Sequence, residues 1–265
     1  MKMAERMVYS MLGLSKKGEE NKNQERLTSE EWGEIYNPEN IKSIVESLKK
    51  GNLHFQSKEM LKLSRENEKV LEIGSGTGGT SCYLALNGRI VTALDYSKNA
   101  LLCADGVAKE MGISLNTVFA DATKELPLAE NEFDVVFQAG LLEHFEQEER
   151  ISLLKNWGRN VRIGGRMVSI IPNAASIAYR TGKAMMEQKG TWRYGLELPQ
   201  YSLQGEFASA GLNVIKEYTI GAEHALNFLP KKFWLRKAMT RWLRENPTGD
   251  DCGQGYLLVT VGEKI

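Results

Sequence analysis

Short apolar runs bounded by glycine, asparagine or aspartate recur along the middle of the chain, and apolar positions between them fall at helical spacing. Residues 70–73 read as a strand, 80–86 as a helix stopped near Asn87-Gly88, 90–94 as a strand ending at Asp95, and 99–111 as a helix ending at Gly112. Residues 115–119 and 133–137 are further strands, a helix runs over about 146–160, and Gly164-Gly165 turns into a strand over 166–171. Strands alternating with helices in this way build a parallel sheet from βαβ units. Later in the chain, 202–210 is predicted as a helix closed by Gly211, and 214–220 and 256–261 as strands.

The flanks follow other rhythms. Residues 1–14 are partly apolar without the uninterrupted core or cleavage site of a signal peptide, so an amphipathic helix is expected there. Residues 15–31 are polar and charged, as in a mobile linker. Over 32–68 helical periodicity returns, with Ile41, Ile44, Val45 and Leu48 on one face, which predicts a helical cap on a domain spanning 32–265. Residues 172–200 lack sheet patterning and carry Tyr179, Trp192, Arg193 and Tyr194, as a lid over a substrate would. Residues 222–253 interrupt the last two strands as a helical insertion. Within it, 231–245 is amphipathic: Phe233, Trp234, Ala238, Trp242 and Leu243 lie roughly on one face, with Lys231, Lys232, Arg236, Arg241 and Arg244 around the rest. That pattern is expected to pack an aromatic stripe on the domain; a peripheral membrane or nucleic-acid helix is the alternative.

Composition narrows the class. The 265 residues suit one large α/β domain with an insertion, and a hydrophobic share of 42% with 26% charged residues is ordinary for a globular protein. Lys+Arg and Asp+Glu both number 34, so nothing global steers the chain toward a polyanion. Cys82, Cys103 and Cys252 show neither metal spacing nor a disulfide framework, which suggests reduced thiols in a cytoplasmic protein. No run of about 18 apolar residues exists to span a membrane.

Candidate chemistry sits at the strand ends, where open parallel sheets bind ligands. The first end offers Glu72 and the turn Gly74-Ser75-Gly76-Thr77-Gly78-Gly79 before a helix. Glycines there let a ligand approach the main chain, and the helix start attracts an anionic group of a nucleotide-like guest. The second offers Asp95, able to accept from ribose hydroxyls, beside Tyr96; the third offers Asp121-Ala122, able to hold an adenine amino group. The fourth offers Gln138-Ala139-Gly140-Leu141-Leu142-Glu143-His144. Singly, Glu72 also reads as a surface charge, and Asp95 and Asp121 as helix caps. In one order at successive strand ends, they read as a site.

The series VLEIGSGTG, LDYS, FADA, FDVVFQAGLLEHF and RIGGRMVSIIP resembles the successive motifs of class I S-adenosylmethionine-dependent methyltransferases. The resemblance implies a Rossmann-like, doubly wound seven-stranded α/β sheet with its last strand antiparallel. It also implies that Gly74 to Gly78 hold the methionine part of S-adenosyl-L-methionine, that Asp95 holds the ribose, that Asp121 and Ala122 flank the adenine, and that Gln138 lines the methionine side. Trp32-Gly33-Glu34-Ile35-Tyr36 resembles the stretch capping the cofactor in small-molecule members, which puts Tyr36 over the sulfonium or simply in the core. The chain has neither an Asn/Asp-Pro-Pro-Tyr after its fourth strand nor the Pro-Cys pair of cytosine-C5 enzymes, so a small-molecule acceptor taking the methyl on oxygen or nitrogen is expected. His144 is the first candidate for a general base, or else a brace for its loop; His224 and His54 come behind it.

Three other readings stay open. Tyr179-x-x-x-Lys183 has the spacing of an NAD(P)-dependent short-chain dehydrogenase, though the glycine turn of that family is absent. An RNA-directed methyltransferase using the 231–245 helix, and a non-catalytic cofactor-binding protein of the same fold, are the others.

Overall fold

The computed structural model describes residues 25–265 apart from 52–53, 199 and 247–252. The helix expected over 1–14 and most of the linker therefore lie outside the described residues. Residues 25–31 are not a free linker but are docked: Leu196 N donates to the Glu25 carbonyl at 2.9 Å and Tyr96 Oη to the Leu27 carbonyl at 3.2 Å. Thr28 and Glu31 form a reciprocal capping box that starts helix α1, Ser29–Ile35. Helices α2, Ile41–Lys49, and α3, Phe55–Lys62, complete the cap.

The sheet then builds as β1, Lys69–Ile73; α4, Gly79–Leu86; β2, Ile90–Asp95; α5, Lys98–Met111; β3, Asn116–Phe119; and β4, Phe133–Ala139. It continues through α6, Gln147–Gly158; β5, Val161–Pro172; α7, Ile177–Gln188; α8, Gln204–Ser209; and β6, Leu212–Ile220. After α9, Ala222–Ala225, and α10, Trp234–Glu245, comes β7, Leu257–Lys264. The seven strands lie in the order β3-β2-β1-β4-β5-β7-β6, with β7 antiparallel to both of its neighbours. Successive side chains on a strand point to opposite faces, and both faces here are covered. Leu71 and Ile73 pack with Val136, Trp157 and Phe207 on one face, whereas Val70, Val91, Val135 and Val259 pack on the other.

The order reverses between β1 and β4, which opens a crevice at their carboxyl ends. Register aligns those ends, since Ile73 pairs Leu94 on β2 and Gln138 on β4.

Three local expectations change. Strand β5 begins at Val161, so Gly164-Gly165 is a strand irregularity, not an entry turn; the register slips between Phe133 and Val135 to absorb it. Residues 177–188 form a helix the apolar pattern does not announce. In α10, Met239 is buried and packs with Leu235 and Leu243, while Trp234 and Trp242 are turned outward, 69% and 38% exposed. The i, i+4 spacing of 235, 239 and 243 defines the docked face.

Candidate active site

The turn after β1 takes its shape from three positive-φ glycines, Gly74, Gly76 and Gly78. Gly74 and Ser75 both donate their N–H groups to the Leu94 carbonyl, at 2.9 and 3.0 Å, which ties the turn to β2. Asp95 ends β2 nearly buried, accepting from Gly76 N at 2.8 Å on one oxygen and Ser97 N at 2.8 Å on the other. Burial raises its pKa, and the backbone donors pull against that rise. A carboxylate has about four acceptor positions, so these donors and the Tyr96 amide leave at least one for a ligand.

A cavity of about 350 Å³ lies above this turn, lined among others by Tyr36, Glu72, Ser75, Gly76, Thr77 and Asp95. Glu72 is buried and accepts from Ser81 Oγ at 2.5 Å. Burial pushes its carboxyl up to about 8, against the pull of that hydroxyl, so it is neutral near pH 7. Ser75 Oγ is buried beside it with no hydrogen-bond partner. An orphaned hydroxyl in a polar cradle is the mark of a site shaped for a polar guest. Tyr36 closes the top: a methyl group at Gly76 would come 3.3 Å from its ring. Trp32 stacks on Tyr36 at 5.5 Å and 8°.

A narrower pocket of about 220 Å³ continues toward β3, lined by Leu94, Asp95, Tyr96, Ala120, Asp121, Ala122 and Leu141 among others. Asp121 is exposed at its rim, accepting from Thr123 N at 2.8 Å and Thr123 Oγ1 at 2.7 Å. On the other side the first cavity meets a third, of about 330 Å³, through their shared wall of Trp32, Tyr36, Ala139 and Gly140. Tyr179, Trp192, Tyr194, Phe228 and Tyr256 line that third space together with Glu143, His144, Glu197 and His224.

Glu72, Gly74, Ser75, Gly76, Thr77, Asp95, Tyr96, Asp121, Ala122 and Tyr36 thus face one continuous crevice. Two residues do not. Gln138 is fully buried: Nε2 donates to Ser169 Oγ at 2.6 Å, and Oε1 accepts from Leu141 N at 2.8 Å. Its position inside the sheet, paired with Ile73, makes it a brace for the Gly140 loop and not a cavity wall. Gly78 faces α5, where a methyl group would stand 2.4 Å from Ala104 Cβ. Helix packing, not ligand approach, requires that glycine.

His144 is nearly buried, and its Nδ1 lies against the Leu196 carbonyl, to which it donates in the neutral ring. Burial lowers its pKa, while the Leu196 and Gly140 carbonyls oppose the fall. The Nδ1 contact ties the β4 loop to the 172–200 segment, as a brace would, and leaves Nε2 as the unprotonated nitrogen of the neutral ring. Tyr179 and Lys183 do not converge on a nucleotide: Tyr179 Oη donates to Glu197 and Lys183 Nζ pairs with Glu187. Glu143, one residue before His144, went unread in the sequence because only folding against Glu197 reveals its burial.

A seven-stranded sheet in this order, with a glycine cradle and acidic strand ends around one crevice, defines a methyltransferase-type nucleoside-binding fold. Residues 70–165 match the family described as "Methyltransferase domain". "Ubiquinone biosynthesis O-methyltransferase" of Rickettsia conorii is 28% identical over 136 residues, covering 51% of this chain and 46% of that protein. "Probable S-adenosyl-L-methionine-dependent methyltransferase TehB" of Haemophilus influenzae is 27% identical over 97 residues, 37% of this chain and 33% of that one. The chain thus spans less than half the length of these curated relatives. Geranyl diphosphate C-methyltransferase from Streptomyces coelicolor A3(2), solved with S-adenosyl-L-homocysteine, shares the fold with a TM-score of 0.57 and 12% identity, covering 79% of this chain and 75% of that one. The match to a methyltransferase domain rests on residues 70–165, and the described sheet as a whole shares the fold of the solved methyltransferase.

Proposed function

We propose that this protein transfers the methyl group of S-adenosyl-L-methionine to oxygen or nitrogen of a small-molecule acceptor. The observation that carries the reading is the continuity of three spaces: a cradle with an orphan Ser75 hydroxyl, a narrow pocket at Asp121, and an aromatic cavity beyond Gly140. Bound there, the cofactor supplies a methyl carbon made electrophilic by its positive sulfur.

The chain's own residues do the rest. Glu72 and Ser75 present acceptors to an amino-acid moiety, and Asp95 keeps an acceptor position for a ribose hydroxyl. Tyr36 turns an aromatic face to the cradle, which favours a cation beneath it. Trp32, Tyr36 and Tyr194 cover the crevice and exclude water. Holding an acceptor in line supplies roughly 7–11 kcal/mol of the barrier. A hydroxyl or protonated amine must also lose a proton, worth about 10²–10⁴ in rate. Glu143 and His224 stand on the cavity wall for that task, and burial keeps His224 neutral.

Titration calorimetry with S-adenosylhomocysteine, NADH and NADPH tests the reading. Micromolar S-adenosylhomocysteine binding with no dinucleotide heat is expected; dinucleotide binding alone overturns it.

A further inference from the structure

The aromatic cavity beyond Gly140 has a polarity of its own. Rings from the cap, the 172–200 segment, the insertion and the residue before β7 meet around it. Tyr179 packs on Tyr256 at 4.7 Å, Trp192 on Tyr194 at 5.1 Å, and His224 on Tyr256 at 5.5 Å. Among the described residues lining it, none is a lysine or arginine. Two carboxyls are. Glu197 is partnered, by Arg180 at 2.9 Å and by the Tyr179 hydroxyl. Glu143 is not: it is 4% exposed, its Oε2 has no hydrogen-bond partner, and it lines the cavity wall. A buried carboxyl oxygen without a donor is costly unless a ligand completes it.

We infer that this cavity receives an organic ammonium, seated with its nitrogen on the Glu143 carboxyl and its carbon substituents against the ring faces of the surrounding tyrosines and tryptophans. This rests on the methyltransferase reading and names the acceptor class as amines. An anionic acceptor, phosphate or carboxylate, would find no lysine or arginine among the described lining residues and would face two carboxyls. A neutral acceptor would leave the ring quadrupoles unused, whereas a cation is drawn to each of them. Cations already stand over two of these rings, with Arg193 Cζ 5.3 Å from the Tyr194 centroid and Lys183 Nζ 4.7 Å from the Trp192 centroid. Burial, with Glu197 nearby, raises the Glu143 carboxyl well above the ordinary carboxylate range. An ammonium beside it opposes that rise and favours the carboxylate as its counterion.

The test uses a cation that cannot be methylated. The full chain, saturated with S-adenosylhomocysteine, is titrated calorimetrically with benzyltrimethylammonium, with its neutral isostere neopentylbenzene, and with p-cresol. The cation is expected to bind at least about tenfold more tightly than either neutral probe. Glu143→Gln, which keeps the shape and removes the charge, is expected to weaken the cation about tenfold while leaving the isostere within about twofold and S-adenosylhomocysteine binding intact. Equal affinity for cation and isostere, stronger binding of p-cresol, or an unchanged cation affinity in E143Q overturns the amine assignment and leaves the methyltransferase reading standing. Absent S-adenosylhomocysteine binding in the wild type removes the methyltransferase reading, and the amine assignment with it.

Discussion

Gly78 offers a sharp division between a residue that builds the fold and residues that serve the ligand. At φ +70°, an L side chain suffers a steric penalty of about 1–2 kcal/mol. A methyl group there would also stand 2.4 Å from Ala104 Cβ and 2.9 Å from Ala104 Cα, so α5 must shift against the cap helices. Overpacking of this kind costs about 1–3 kcal/mol. Gly78→Ala is therefore expected to lose about 2–5 kcal/mol, a large part of the roughly 5–15 kcal/mol of a typical domain. In urea denaturation followed by tryptophan fluorescence, with a slope of about 3 kcal/mol/M, the midpoint should fall by about 1 M. A midpoint within about 0.3 M of wild type, with weakened S-adenosylhomocysteine binding as the main effect, would show that this glycine serves ligand approach and that the packing argument is wrong.

Three further outcomes follow from buried charge. Because the Glu72 carboxyl is held at about 8, seating a ligand ammonium beside it requires proton loss; S-adenosylhomocysteine affinity should climb with pH by up to about tenfold per unit and level off above that value, a slope that Glu72→Gln flattens in calorimetry. The same raised pKa has the opposite sign for folding: the folded state binds the extra proton between the ordinary 4.5 and about 8. Stability should therefore fall across that window by up to about 1.4 kcal/mol per pH unit relative to E72Q in urea melts; a flat difference refutes the burial argument. Arg150, nearly buried, donates to Glu206 at 2.8 Å, to the Phe145 carbonyl at 2.6 Å and to Gln200 at 3.0 Å. Arg150→Met strands the Glu206 carboxylate and should cost about 3–5 kcal/mol, most of it recovered in the double variant with Glu206→Leu; no recovery would refute the stranded-charge account.

The strand ends were legible because their signals are local. A glycine with positive φ, an aspartate closing a strand and a capping serine act within a few residues, so Gly74 to Thr77, Asp95 and Asp121 could be placed before any packing was known. What escaped depends on distant partners. Helix α7 buries Ala178, Tyr179, Gly182 and Lys183, a face too small and polar to register as apolar periodicity. Gly182 is fixed by Phe228, whose carbonyl would lie 2.5 Å from a methyl group there. Gln138 looks like a polar residue emerging from a strand, yet Ser169 on the neighbouring strand and the Leu141 amide hold it inside. Glu143 looks like a solvated charge; only the docking of Leu198 N on its carbonyl, at 2.7 Å, shows that residues 172–200 cover it.

Strand β7 lies between β5 and β6 and, among the described residues, is the sole strand partner of β6. During ribosomal synthesis the five strands from β3 to β5 have every pairing except that of β5 with β7 before residues 257–264 emerge. The α8–β6 unit, by contrast, must wait unpaired beside an open β5 edge of apolar side chains. Assembly is thus vectorial, with a late wedge that seals a vulnerable margin, and chaperone engagement should concentrate in that interval.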